Sequence, residues 1–135
     1  MTPCELLICA EDAMVNSYSP YSGFSVGAAL ITVDGRVYKG CNIENSAFSP
    51  TICAERTAFF KAISEGENDF EAIAIVGKYK NGEYKHLCYP CGVCRQVMEE
   101  FCGGDFKIIL GDGNGEYEVH TLSELLPGGF DLRNE

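Results

Sequence analysis

The stretch GAALITVDGRVYKGCN, residues 27–42, decides how the fold begins. Two runs rich in apolar and β-branched residues flank Asp34-Gly35, a dipeptide that is a strong signal for the turn of a β-hairpin. An apolar pattern with helical spacing precedes this stretch over residues 2–17, and its Thr2 and Glu5 have the spacing of a capping box. We therefore expect a helix followed by two antiparallel strands.

Helical and strand patterns alternate along the rest of the chain. We predict helices over residues 53–65, 91–102 and 121–126, strands over residues 72–77, 106–111 and 115–120, and a loop over residues 78–89. Strands separated by helices imply parallel crossovers, so we expect an α/β three-layer sandwich in which one mixed five-stranded sheet has helices on both faces. The length of 135 residues favours a single domain over residues 1–135.

Composition and charge exclude several classes of function. Twenty acidic residues against ten basic ones give a net charge of −10, which would repel the phosphate backbone of a nucleic acid. No apolar run approaches the ~18 residues that a membrane span needs, and the first residues show no signal peptide pattern. We therefore expect a cytoplasmic protein that has neither nucleic acid nor a membrane as its partner.

Three of the eight cysteines stand in motifs that suggest metal chemistry. Cys91 and Cys94 form a Cys-x-x-Cys pair at a predicted helix start, where residues three apart share one face. Cys53 begins the other motif, Cys53-Ala54-Glu55-Arg56. Three thiolates can bind zinc tetrahedrally and leave one position for water, which is the arrangement of a catalytic site.

The spacing of Cys53 and Glu55 makes a geometric prediction. Two helical steps rotate a side chain by about 200°, so the two residues cannot share a face inside one helix. They can face one site if Cys53 lies at the N-cap, before helical angles begin, and Glu55 lies in the first turn. We therefore expect Cys53 to be the N-cap of the predicted helix and Glu55 to lie in its first turn.

Other interpretations of the cysteines remain open at this point. A cysteine taken alone is more often a small buried residue than a ligand. A structural zinc site would need a fourth protein ligand, for which the candidates are His86, Cys88 and Cys102. The pair Cys91 and Cys94 also has the spacing of a thiol–disulfide redox motif, although such a motif explains neither Cys53 nor Glu55.

Longer segments carry a family resemblance. Cys/His-x-Glu followed by Pro-Cys-x-x-Cys is the signature of zinc deaminases. The segments YSPYSGFSVGAAL (18–30), GCNIENSAFSPTICAERTA (40–58), PCGVCRQV (90–97) and ELLPGGF (124–130) together closely resemble cytidine deaminases of the small, homotetrameric type. Deaminases of polynucleotides typically have a histidine where this chain has Cys53, which agrees with the charge argument.

The resemblance implies a reaction and a metal. It implies hydrolysis of cytidine and 2'-deoxycytidine to the uridines and ammonia, in pyrimidine nucleoside salvage, with one zinc ion per chain held by Cys53, Cys91 and Cys94. Glu55 would take a proton from water, deliver it to N3 of the cytosine ring and later protonate the leaving amine. A deaminase for another aminopyrimidine nucleoside, such as an antibiotic, is the alternative, against which Asn42-Ile43-Glu44-Asn45 argues.

The resemblance also implies further site residues. Those expected to contact the substrate are Phe24, Asn42, Glu44, Ala54 and Phe130. Phe130 would reach into the site of a neighbouring subunit, so the homotetramer would share its active sites. Arg56 would donate hydrogen bonds to the thiolates and offset the −1 charge of zinc with three thiolates. Phe48 and Tyr89 stand where relatives often have tyrosine and serine. Without the resemblance, Phe24 and Phe130 could be core residues, and Asn42 and Glu44 a turn after a strand.

Overall fold

The elements follow one another in the predicted order. The computed structural model describes residues 1–133, with helices α1 (Pro3–Met14), α2 (Ala54–Ser64), α3 (Gly92–Phe101) and α4 (Leu122–Leu125) and strands β1 (Ser25–Thr32), β2 (Val37–Cys41), β3 (Phe70–Lys78), β4 (Lys107–Gly111) and β5 (Tyr117–Thr121). The strands form one sheet in the order β2-β1-β3-β4-β5. The β3–β4 pair is parallel and the other neighbours are antiparallel, so the predicted mixed five-stranded sheet is confirmed.

The β1–β2 hairpin turns at the predicted dipeptide. Leu30 lies opposite Tyr38 in the register, and the Thr32 amide donates a hydrogen bond to the Arg36 carbonyl at 2.9 Å. Because β3 pairs with β1 instead of β2, the connection through α2 passes over β1 and joins parallel strands. This crossover carries the start of α2 to the end of the hairpin.

Helices cover both faces of the sheet, as predicted. The apolar face of α1 packs on side chains of β1, β3 and β4, and its N-terminus is closed by the Thr2–Glu5 capping box. On the opposite face, α2 and α3 pack over Leu30, Ile73 and Ile108. Within residues 1–133, no helix combines the length and apolar character needed to cross a membrane.

The structure corrects several predicted boundaries. Helix α1 ends at Met14, before the predicted residue 17, and β3 begins at Phe70, before the predicted residue 72. The region 78–89 is not a loop throughout, because Lys78 and Tyr84 form an antiparallel bridge that extends β3 into a short hairpin. These residues are polar, and their pairing uses backbone groups, which leave little side-chain signal.

A close approach between α2 and β2 sets the depth of the helix start. A Cβ atom added at Gly40 would lie 2.5 Å from the carbonyl oxygen of Ala54 and 2.5 Å from the amide nitrogen of Ala58. Only a residue without a side chain lets the helix backbone rest on the strand at this distance. The first turn of α2 is thereby held beside the end of β2.

Candidate functional site

Three cysteine sulfurs converge where two helices begin. Cys53 is the N-cap of α2, with φ −77° and ψ 155°, and Cys91 is the N-cap of α3. Cys94 lies in the first turn of α3, its sulfur 3.5 Å from that of Cys91, and the sulfurs of Cys53 and Cys91 are 3.7 Å apart. The prediction that Cys53 lies at the cap and Glu55 in the first turn is confirmed.

The donor set fits a zinc ion. Thiolates at about 2.3 Å in a tetrahedral arrangement around zinc are separated from each other by about 3.8 Å. The three sulfurs all lie within 4.8 Å of one another, and the pairs Cys53–Cys91 and Cys91–Cys94, at 3.7 and 3.5 Å, are near that spacing. In the part of the chain that the structure describes, none of the candidate fourth ligands His86, Cys88 and Cys102 joins this group. One coordination position is therefore left for a ligand that the protein does not supply.

The thiols of the triad differ in acidity. A hydrogen bond from Cys94 and a second from the Arg56 guanidinium lower the pKa of Cys53 to about 5. The same interaction with Cys53, together with burial, raises the pKa of Cys94 far above its usual value. Because thiols bind zinc as thiolates, metal binding must release the protons that these thiols still carry, and the affinity for zinc therefore falls as pH falls.

Positive charge surrounds the triad. Each helix N-terminus contributes the equivalent of about +0.5 charge, and two helices begin here. Arg56 Nη2 donates a hydrogen bond to Cys53 Sγ at 3.4 Å, and this hydrogen bond raises the pKa of the guanidinium. The buried Nε atom of Arg56 has no hydrogen-bond partner among residues 1–133. The guanidinium beside the thiols therefore keeps one N–H donor unused.

Glu55 is a buried carboxyl group next to the triad. Its exposed fraction is 4%, and it lines the same cavity as Cys53 and Cys91. Burial raises the pKa of Glu55 to about 7, and the negative charge of Cys53 acts in the same direction. A carboxyl group with such a pKa can both accept and release a proton near neutral pH, which general acid–base catalysis requires.

The cavity in front of these groups has a volume of about 260 Å³. Its wall contains four of the five residues predicted to contact a substrate, namely Phe24, Asn42, Glu44 and Ala54, and it also contains the predicted catalytic residue Glu55. Ala54 is fully buried in the first turn of α2. The structure thus brings these residues and the thiols of Cys53 and Cys91 into one concave site.

Asn42 and Glu44 face the cavity but are already bonded to the protein. The Asn42 amide donates to the Phe24 carbonyl at 2.8 Å and its oxygen accepts from the Val26 amide at 2.9 Å, and its second amide proton has no partner among residues 1–133. Glu44 Oε1 accepts from the backbone amides of Tyr21 and Ser22 at 3.0 and 3.1 Å.

A hydrogen bond from the Ser22 hydroxyl lowers the pKa of Glu44. Glu44 is therefore ionised at neutral pH and can accept hydrogen bonds from hydroxyl groups.

The two predicted aromatic residues lie in different places. Phe24 is half-buried in the cavity wall. Phe130 does not line this cavity, since its side chain is 65% exposed and the Gln96 amide donates to its carbonyl at 3.0 Å. Within one chain, Phe130 is held on the surface.

Sequence reasoning missed several residues of the cavity wall. These are Ser22, Val26, Thr51, Ile52 and Cys88. Cys88 is buried, and burial raises the pKa of its thiol to about 12, so it presents a neutral sulfur to the cavity. The available sequence signal for Cys88 was its position just before Pro90-Cys91, which places it near the metal-binding motif. Tyr89, noted as a departure from the pattern, also lines the cavity.

Comparison with known proteins points to one family. Residues 2–110 match the model of the cytidine and deoxycytidylate deaminase zinc-binding region. The chain is 48% identical to a cytidine deaminase of Sporosarcina psychrophila, over 93% of this chain and 89% of the relative. It is 51% identical to a cytidine deaminase of Halalkalibacterium halodurans, over 90% and 88%.

The fold agrees with a solved structure as well. The crystal structure of a cytidine deaminase from Burkholderia pseudomallei superposes with a TM-score of 0.87 at 42% sequence identity. The match covers 96% of this chain and 100% of that one. The predicted three-layer sandwich and the predicted family are both confirmed.

Proposed function

The chain belongs to the cytidine and deoxycytidylate deaminase family and is an enzyme of that family, and on this premise we propose that it hydrolyses cytidine and 2'-deoxycytidine to the corresponding uridines and ammonia. The whole chain, residues 1–135, acts as one catalytic domain. Its place is the cytoplasm, where thiols stay reduced, and its role is pyrimidine nucleoside salvage.

One observation carries this proposal. Glu55 is 4% exposed and lines the same cavity as Cys53 and Cys91. These two cysteines belong to the group of three thiols that lie within 4.8 Å of one another. The thiols of Cys53, Cys91 and Cys94 hold one zinc ion per chain. When bound, zinc supplies Lewis acidity that brings the pKa of water close to neutral.

Glu55 moves the protons of the reaction. It accepts a proton from the attacking water as the C4–O bond forms, and delivers that proton to N3 of the ring. It then transfers the remaining proton of the new hydroxyl group to the amino nitrogen, and the C4–N bond breaks as ammonia leaves. One carboxyl group suffices because all these atoms are neighbours at one end of the ring, and its raised pKa suits both directions of transfer.

Other residues of the cavity bind the nucleoside. The ionised Glu44 accepts a hydrogen bond from a sugar hydroxyl, and the free amide proton of Asn42 donates to the same group. The ring of Phe24 packs against the base, and Ala54 contributes the floor beside it. The net charge of −10 favours an unphosphorylated nucleoside over a nucleotide.

Arg56 adjusts the charge of the metal centre. Zinc with three thiolates carries a net charge of −1, which weakens its effect on water. The hydrogen bond from Arg56 to Cys53 and the two helix N-termini draw negative charge away from the sulfurs. The nucleophile can then ionise at a lower pH.

Assembly completes the site. Phe130 is 65% exposed with its backbone held by Gln96, and Phe48 is 94% exposed on the loop after Glu44. Large exposed aromatic side chains are typical of interfaces. We expect a homotetramer in which Phe130 of one chain reaches the cavity of another. Sedimentation should give the mass of four chains, and a mass of one chain would refute the shared site.

A substrate comparison tests the reaction. We expect the zinc-loaded protein to release ammonia from cytidine and deoxycytidine, and to act far more weakly on the free base cytosine and on cytidine 5'-monophosphate. Turnover is followed by ultraviolet absorbance, with a zinc chelator as the control. Zinc-loaded protein that turns over none of these would indicate a structural metal or another aminated substrate.

A further inference from the structure

A short hairpin that extends β3 lies next to the substrate cavity. We name it the Tyr79 hairpin, residues 78–85. The Tyr79 amide donates to the Glu83 carbonyl at 2.7 Å, and the Gly82 amide donates to the Tyr79 carbonyl at 2.9 Å. Both backbone groups of Tyr79 are therefore bonded within the hairpin, which fixes the position from which its side chain extends.

The hairpin is also anchored to the body of the protein. The Lys85 amide donates to the Gly77 carbonyl in β3 at 2.9 Å. The ring of Tyr84 lies against Gly113 in the β4–β5 turn, and the Lys78 ammonium group lies 5.0 Å from the centre of that ring. These contacts tie the hairpin to the sheet at its base and on one side.

On the opposite side, the hairpin contacts the segment that carries Phe24. The ring centroids of Tyr79 and Phe24 are 5.1 Å apart, with the planes tilted by 46°, which is a favourable aromatic arrangement. The neighbouring Lys80 packs on Gly23, its Cβ 3.3 Å from the position of an added Cβ there. Two successive hairpin residues thus touch two successive residues before β1.

The back of the Phe24 ring is closed by β3. A Cβ added at Gly77 would lie 2.5 Å from Phe24 Cζ and 3.1 Å from Cys88 Sγ, so the ring rests directly on the strand. The backbone of Phe24 is held separately, by the hydrogen bond from Asn42 to its carbonyl. That backbone hydrogen bond does not set the tilt of the Phe24 ring. The aromatic ring of Tyr79 contacts the Phe24 ring and can set its tilt.

We propose that Tyr79 is a positioning residue for the deaminase site, which sets the tilt of the Phe24 ring and so the affinity for the nucleoside base. The inference rests on the proposed function, because it assumes that Phe24 contacts the base. Tyr79 does not itself line the cavity that Cys53 and Cys91 line. It acts through Phe24 alone.

The test first compares three variants with the wild-type enzyme. Tyr79→Ala should raise the KM for cytidine about 3- to 10-fold and leave kcat within about twofold, given the strength of aromatic pairs. Tyr79→Phe keeps the ring and should restore the wild-type KM. Tyr117→Ala, which removes a similarly exposed tyrosine away from the cavity, should change neither constant. The inhibition constant of the product uridine should rise in parallel with KM.

A double-mutant cycle separates positioning from a general structural effect. Adding Tyr79→Ala to Phe24→Ala should raise KM no further, because the ring through which Tyr79 acts is gone. Should Tyr79→Ala fold poorly, Tyr79→Leu is measured in its place, with the same expectation. An unchanged KM in the single variant, or an equal effect in the Phe24→Ala background, would overturn the inference. A wild-type enzyme without activity on cytidine would instead refute the proposed function.

Discussion

Replacing Glu55 by glutamine removes the proposed proton carrier while keeping the shape of the side chain. The group is 4% exposed, and an amide of the same size can fill the same space. The three thiols are untouched, so we expect the variant to fold and to hold one zinc ion per chain. What it loses is the ability to take a proton from water and release it to the substrate.

The size of the loss follows from the composition of the cavity wall. The other carboxylate in that wall is Glu44, which is held by the amides of Tyr21 and Ser22 at 3.0 and 3.1 Å and cannot replace Glu55. A positioned acid or base contributes about 10²- to 10⁴-fold to a proton transfer, and Glu55 serves more than one transfer. We expect kcat to fall by at least about 10⁴-fold, which corresponds to about 5 kcal/mol of barrier.

The assay measures turnover, metal and folding on the same sample. The absorbance change with cytidine gives kcat, metal analysis gives zinc per chain, and thermal unfolding reports the fold. Glu71→Gln, which changes an exposed glutamate at the start of β3, is the matched control and should behave as wild type. A Glu55→Gln enzyme with full zinc content and kcat within tenfold of the wild type would refute the assigned role.

Three further variants test the remaining parts of the site. Glu44→Gln should raise KM for cytidine about 10- to 100-fold, because a hydrogen bond to a charged group is worth about 1.5–3 kcal/mol. Steady-state kinetics measures this constant, and an unchanged KM would show that the sugar does not bind to Glu44. Cys94→Ser should bind little zinc and lose activity, whereas the exposed Cys4→Ser should retain both; metal analysis of the two decides the ligand assignment. Arg56→Gln should shift the pH–rate profile to higher pH, since losing a positive charge makes the nucleophile harder to ionise, and an unchanged profile with full zinc content would exclude the electrostatic role.

The start of α2 was predictable because its sequence signals are local. The rotation per helical residue alone requires Cys53 to lie before α2 if it shares a site with Glu55, and the structure places it at the N-cap. The capping box of Thr2 and Glu5 is likewise a pattern within four residues, and it is present. Such features depend only on residues that are close in sequence, so they can be predicted from the sequence alone.

The Tyr79 hairpin could not be predicted from the sequence pattern. Its pairing consists of backbone hydrogen bonds such as that from Tyr79 to Glu83, and these leave little trace in side-chain composition. The contact of Tyr79 with Phe24 joins two elements distant in sequence, and the Phe24 ring also rests on the bare backbone of Gly77. A prediction based on local spacing treats the same residues as a polar loop.

The internal bonding of Asn42 was also not predictable. Its position after β2 indicated a residue at the end of a strand, and the family resemblance implied a sugar contact. The structure shows that two of its four hydrogen-bonding positions hold the backbone at Phe24 and Val26. These partners come from the neighbouring strand and the loop before it, so the pairing follows only from the assembled sheet.

Zinc reconstitution measures whether the proposed reaction depends on a metal ion held by the three thiolates. Metal-free protein is loaded with increasing zinc, and the rate of cytidine loss is measured at each step. We expect no turnover without metal and a rate that rises linearly until one zinc is bound per chain and then stays constant. Turnover in the metal-free protein, or a chain that holds one zinc on its three thiolates and leaves cytidine unchanged, would contradict this expectation.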